Sequence, residues 1–153
     1  MIQDWRHLPP AARPIAAAAS AAIAAAKEQD AEALDRAVAE LAAPDPLQVG
    51  LILGTGLRLQ LERGHPDGLD GDDIRLVLTG CVREAAAWRP QVDPHVLLYL
   101  LAGALGVLEE DGEPPPRPTA LAEHAALLLT HLRATPELFT AALSEIERSQ
   151  LND

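Results

Sequence analysis

Aromatic side chains make up only 3% of this 153-residue chain. The β-branched residues that favour strands are scarce as well, so there is little from which to build a sheet. Basic residues are also few. Lys27 is the only lysine, the arginines stand singly, and the formal net charge is −11. Nucleic-acid binders draw most of their affinity from clustered Lys and Arg on phosphates, so that class is excluded, and anionic membrane surfaces are disfavoured for the same reason. Cys81 is the sole cysteine; it allows neither an intramolecular disulfide nor a CxxC site. No cofactor is implied.

Long hydrophobic runs are missing too. The most apolar stretch, VLLYLLAGALGVL, covers residues 96–108, well short of the roughly 20 residues that cross a bilayer. Asp93 precedes it, and Glu109, Glu110 and Asp111 follow at once. The opening MIQDWRHLPP lacks the charged and apolar regions of a signal peptide. A cytoplasmic protein with no membrane partner is the expectation.

What remains is alanine and leucine, which lose little on entering a helix. The expected fold is all-α: about seven helices in antiparallel hairpins, arranged as a duplicated hairpin repeat of HEAT-like size or as a compact bundle. Residues 1–153 read as one domain. It comprises a hairpin over 9–43, repeat-like hairpins over 45–90 and 93–134, and a terminal helix over 135–150.

Local signals mark the helices. Asp30 is placed to cap the second. Asp45-Pro46 and Asp93-Pro94 combine a capping carboxylate with a proline at the first helical position. Asp70 or Asp72 starts a helix in which Ile74, Val77, Leu78, Cys81, Ala85 and Trp88 share one face. Thr135-Pro136 opens the last, with a Leu138, Phe139, Ala142, Leu143 and Ile146 stripe. That stripe offers a homodimer contact.

Residues 45–64 and 93–112 align without gaps at an offset of 48. Asp-Pro falls on Asp-Pro, Gly54-Thr55-Gly56 on Ala102-Gly103-Ala104, and Glu62-x-Gly64 on Glu110-x-Gly112. Periods near this length belong to stacked helical hairpins. The 93–112 helix, apolar all round, is expected in the middle of the fold and ended by Gly112.

Most candidate sites have an ordinary explanation. GTGLRL, residues 54–59, has the glycines of a phosphate loop but lies mid-helix; Gly50 and Gly54, four apart, read as a close helix approach. HPDGLDGDD, residues 65–73, lacks the calcium-loop spacing, and no metal site is expected. His124 and His131, seven apart, lie about 10 Å from each other along a helix, too far to share one ion directly. His131 takes the repeat position of Cys81, a half-buried packing slot. Three serines, Ser20, Ser144 and Ser149, offer no triad pattern.

Arrangement leaves one further feature. If the hairpins stack, two acidic loops share an edge: Asp67, Asp70, Asp72 and Asp73 on one, and Glu109, Glu110, Asp111 and Glu113 on the other. The leading expectation is a non-enzymatic interaction module that binds a basic protein partner through a helical groove or this acidic rim. An antitoxin- or immunity-type inhibitor of a basic target is one alternative. A helical sensor or enzyme with an interhelical pocket for an aliphatic ligand is another.

Overall fold

A computed structural model describes residues 5–108 and 114–151. Among them are seven helices and no strand: α1 (Ala12–Lys27), α2 (Ala31–Ala42), α3 (Pro46–Gly64), α4 (Gly71–Ala86), α5 (Pro94–Ala104), α6 (Pro118–His131) and α7 (Glu137–Leu151). The all-α expectation holds.

The caps act as their residue types require. Asp30 accepts from the Ala33 N–H at 3.1 Å, Asp45 from Leu47 at 3.0 Å and Asp93 from His95 at 2.9 Å. Each satisfies an orphan donor of a first turn. Asp70 and Asp73 exchange bonds: the Asp73 N–H donates to Asp70 Oδ1 at 2.8 Å, and the Asp70 N–H to Asp73 Oδ2 at 3.0 Å. The bond from Asp73 N–H holds the Asp70 carboxyl below its ordinary value of 3.8. A depressed carboxylate stabilises the fold above its unfolded pKa, and that contribution is lost as pH falls through the folded value. Asp70→Ser keeps a capping oxygen that does not titrate. It is expected to flatten the acid limb of a plot of unfolding midpoint against pH below about 4.

Two helices end on a non-glycine residue in the left-handed region, Gln29 (φ +57°) after α1 and Arg133 (φ +63°) after α6. Behind Gln29, the Asp30 N–H reaches Ala25 O at 2.9 Å and the Gln29 N–H reaches Ala26 O at 3.1 Å. This double bond pattern satisfies the last carbonyls of α1. A side chain pays for that conformation where glycine does not, so Gln29→Gly is expected to raise stability by about 1 kcal/mol in urea unfolding.

α5 ends earlier than expected. It stops at Ala104 because Gly106 (φ +73°) takes the left-handed position, with Val107 N–H on Ala102 O at 2.9 Å and Gly106 N–H on Gly103 O at 3.2 Å. Gly112 lies outside the described residues. The aligned α3, lacking a glycine at the equivalent point, continues to Gly64. The two segments therefore share their starts and not their lengths.

Nor is α5 the central helix. Leu98 on its outer side is 47% exposed. α6 holds the centre, packed against α1, α2, α3, α4 and α5, with Ala122, His124, Ala125, Ala126, Leu127, Leu128 and Leu129 all buried. Its alanines let neighbours approach on several sides, and that, more than hydrophobicity alone, fits a helix for full enclosure. Around it α1 pairs with α2, while α3 packs on α5, α6 and α7. A stacked-hairpin order, with α3 mainly on α4, is not the packing observed.

The α7 stripe is used inside the chain. Leu138 and Phe139 are fully buried, Leu138 against Gly56 of α3, and Phe139 meets Trp5 edge-on with centroids 6.5 Å apart. Leu143 is buried as well. The face expected to offer a dimer contact is closed by the chain's own core.

Candidate functional site

Capped starts and the early end of α5 set the geometry of an apolar cleft. The N-terminal half of α3 and the C-terminal half of α5 form its two walls, the first through Pro46, Val49, Gly50, Leu53 and Gly54, the second through Tyr99, Leu100, Gly103 and Ala104. The end of α2 (Leu41, Ala42) and the start of α6 (Leu121, Ala122) complete it, with Leu108 at the edge. Its volume is about 330 Å³. Leu41, Val49, Leu53, Ala104 and Ala122 are buried and form the floor, whereas Gly50, Gly103 and Leu108 are exposed. Among the described residues the lining carries no charged side chain, and the Tyr99 hydroxyl is the only polar side-chain group there.

The glycines are the informative residues. A Cβ at Gly50, Gly54 or Gly103 would meet nothing within 4 Å. The expectation that Gly50 and Gly54 admit a close helix approach is therefore corrected: among the described residues, no neighbouring atom would touch a side chain begun at either. It is Gly56, where a Cβ would lie 3.5 Å from Leu138, that packs. Spacing alone could not separate the two cases, because both kinds of glycine lie in one helix and only the neighbours differ.

The acidic residues expected at a docking rim are differently placed. Asp70 and Asp73 cap α4, and Asp72 pairs with Arg75 at 3.0 Å on an exposed face. Asp67 is exposed in the loop before them. Ten residues separate Gly54 from Gly64 at the end of α3, so this loop begins about 15 Å beyond the cleft along the helix. Glu109, Glu110, Asp111 and Glu113 lie outside the described residues. Among described residues, no group of three or more His, Cys, Asp or Glu side chains is placed to hold a metal ion. No helix there is long and apolar enough to cross a membrane.

Sequence reasoning missed a buried polar cluster. Arg89, 5% exposed in the α4–α5 connection, pairs with Asp35 of α2 and Glu123 of α6, and reaches the Ala31 carbonyl at 3.4 Å. Burial alone would lower the Arg89 pKa; the hydrogen bonds that Arg89 donates to Asp35 and Glu123 outweigh burial and leave the pKa raised. Next to it His124 is buried, its Nε2 accepting from the Asp93 N–H at 2.9 Å and its Nδ1 donating to Ala120 O at 2.8 Å. Those two partners define a neutral Nδ1–H tautomer. The His124 bond thus ties the start of α5, whose later residues line the cleft, to α6. An arginine in a loop and a histidine on a helix carry no sequence signal for these roles.

His131 is half-buried, as its slot predicted. Its ring lies over Gly80, where a Cβ would meet Cε1 at 2.8 Å, and Nδ1 is 3.1 Å from Glu84. A second depression of about 350 Å³ includes Cys81, Glu84, Trp88, Lys27 and Thr130. Burial, and then the Glu84 charge, push the Cys81 thiol up to about 12. It stays protonated at neutral pH and is a poor nucleophile there.

No protein-family model matches this chain, and no match was found among curated proteins or solved structures.

Proposed function

We propose that this chain is a non-enzymatic interaction module that receives a protein partner in the α3/α5 cleft. One observation carries the reading. Gly50 and Gly54 occupy helix-interior positions at a propensity cost of about 1 kcal/mol each relative to alanine. Among the described residues, no neighbouring atom lies within 4 Å of where a Cβ would stand at either. The sequence gives up stability at two points and obtains an open apolar groove. Exposed Leu47, one turn from Leu51 on α3, and exposed Leu108 extend the apolar surface around it, as an interaction site would. A cytoplasmic location is part of the same proposal, and a chain with a single cysteine, which needs no disulfide of its own, is in keeping with it.

The cleft-filled variant Gly54→Leu tests it. With no neighbour within 4 Å, this change is expected to leave the fold intact by circular dichroism. A lysate protein retained by the wild type and lost on Gly54→Leu would support docking in the cleft. Equal retention by both would overturn it.

A small aliphatic ligand is the second reading, favoured by the cleft's size, which reaches the lower end of ligand sites at about 300 Å³. Against it stands the lining, which offers one hydroxyl where such sites commonly place several polar groups. Inhibition of a basic target by presented carboxylates is a third, supported by the net charge of −11. It predicts binding that weakens steeply with salt and is indifferent to Gly54→Leu.

A further inference from the structure

The partner's chemistry can be narrowed further, on the reading that the cleft is a docking site. We infer that its occupant is one face of a basic amphipathic helix, with aliphatic side chains entering the cleft and Lys or Arg on the flanks.

Shape is the first argument. The α3 wall runs from Pro46 to Gly54, eight residues or about 12 Å at the helical rise. Anchors at i, i+4 and i+7 on a docking helix span about 10 Å. The groove therefore matches two turns of such a face. Gly50 and Gly54, one turn apart on α3, and Gly103 opposite on α5 leave the wall bare where those side chains would enter.

Lining chemistry is the second. Among the described residues a polar metabolite would find the Tyr99 hydroxyl and no other polar side chain, leaving its own polar groups unpaired. An aliphatic occupant loses nothing of that kind.

Charge decides between aliphatic occupants. The chain carries −11, and exposed Glu40 and Asp45 directly precede the lining residues Leu41 and Pro46. Arg117, before Pro118, is the one basic residue so placed among those described. A fatty acid would bring its carboxylate into a negative field, whereas flanking lysines or arginines on a helix would be drawn in.

The experiment uses two synthetic amphipathic peptides with one leucine face, flanked either by lysines or by glutamates, and decanol as a head-group-neutral aliphatic probe. Binding is read by anisotropy of labelled peptide, and occupancy by the amide shifts of Gly50, Gly54 and Gly103. The lysine peptide is expected to bind about tenfold or more tighter than the glutamate peptide at low salt, the gap closing as salt rises. Gly54→Leu should remove the binding, while Leu76→Ala, at an exposed leucine on α4, should not change it. Equal binding of both peptides, still lost on Gly54→Leu, would overturn the basic partner and leave the docking cleft standing. Glycine shifts with decanol alone, and no peptide binding, would overturn the helix and favour a small aliphatic ligand. If no probe moves the three glycines, the cleft reading itself fails. Lysine-peptide binding that survives Gly54→Leu would place the contact on the acidic surface and overturn the inference.

Discussion

Replacing Arg89 by alanine is expected to cost about 3–5 kcal/mol of stability, the range for removing one partner of a buried ion pair. Most of the loss comes from Glu123, whose side chain is only 14% exposed; without the guanidinium its charge is left poorly solvated on α6. Asp35 contributes less, because at 65% exposure water already screens it. The cost should be seen in urea unfolding at neutral pH. Arg89→Met with Glu123→Leu removes both charges and should recover most of the loss. If the double variant were as unstable as Arg89→Ala, the cluster would matter through its shape or its bond to the Ala31 carbonyl, and not through charge. Amide shifts supply a second readout: Arg89→Ala should move the amides of Ala31, Asp35 and Glu123, the residues that the guanidinium joins.

Phe139→Ala is expected to be about as severe, at roughly 3–5 kcal/mol, as for large core aromatics. Phe139 is the chain's only phenylalanine and is fully buried. Its ring fills the space between α7, the Gly56 region of α3 and Trp5. Truncation removes apolar burial, leaves a cavity that rigid helices on either side cannot close, and deletes the edge-on contact with Trp5. Because Trp5 lies near the beginning of the chain, the variant should also release that segment, seen as a red shift of tryptophan emission before the main unfolding transition. Phe139→Leu keeps most of the volume and is expected to cost much less. A loss below about 1 kcal/mol for the alanine variant would mean that α7 repacks freely.

Helix starts were legible in the sequence because each depends on a few adjacent residues. Asp45-Pro46 and Asp93-Pro94 did what that pair does wherever the chain is free to turn, and Asp70 with Asp73 formed its reciprocal cap within one turn. The end of α5 was misplaced because two glycines competed for it. Gly106 came first and took the left-handed position, and nothing in the alignment with residues 45–64 favoured it.

The candidate site was less legible. Gly50 and Gly54 were noticed, yet their meaning was inverted, since a glycine that admits a neighbour and one that keeps a space empty look the same in one dimension. The carboxylates that stood out by their number, Asp70, Asp72 and Asp73, turned out to be engaged with their own backbone or a neighbouring arginine. Arg89, Asp35 and Glu123, far apart in sequence and ordinary in context, proved to be the polar group shared by three parts of the fold.

By itself the sequence determined what local energetics can determine: the helical class, the number of helices, their capped starts and the net charge that favours cationic partners. Only tertiary structure decided which helix lies at the centre, because enclosure depends on small side chains facing several neighbours at once, and α6 meets that condition where the more hydrophobic α5 does not. It also decided that α7 is closed into the core and that α3 and α5, packed together, leave a cleft open between them over a floor supplied by α2 and α6. A cleft is made by surfaces that fail to meet, and no pattern within a single helix records that failure.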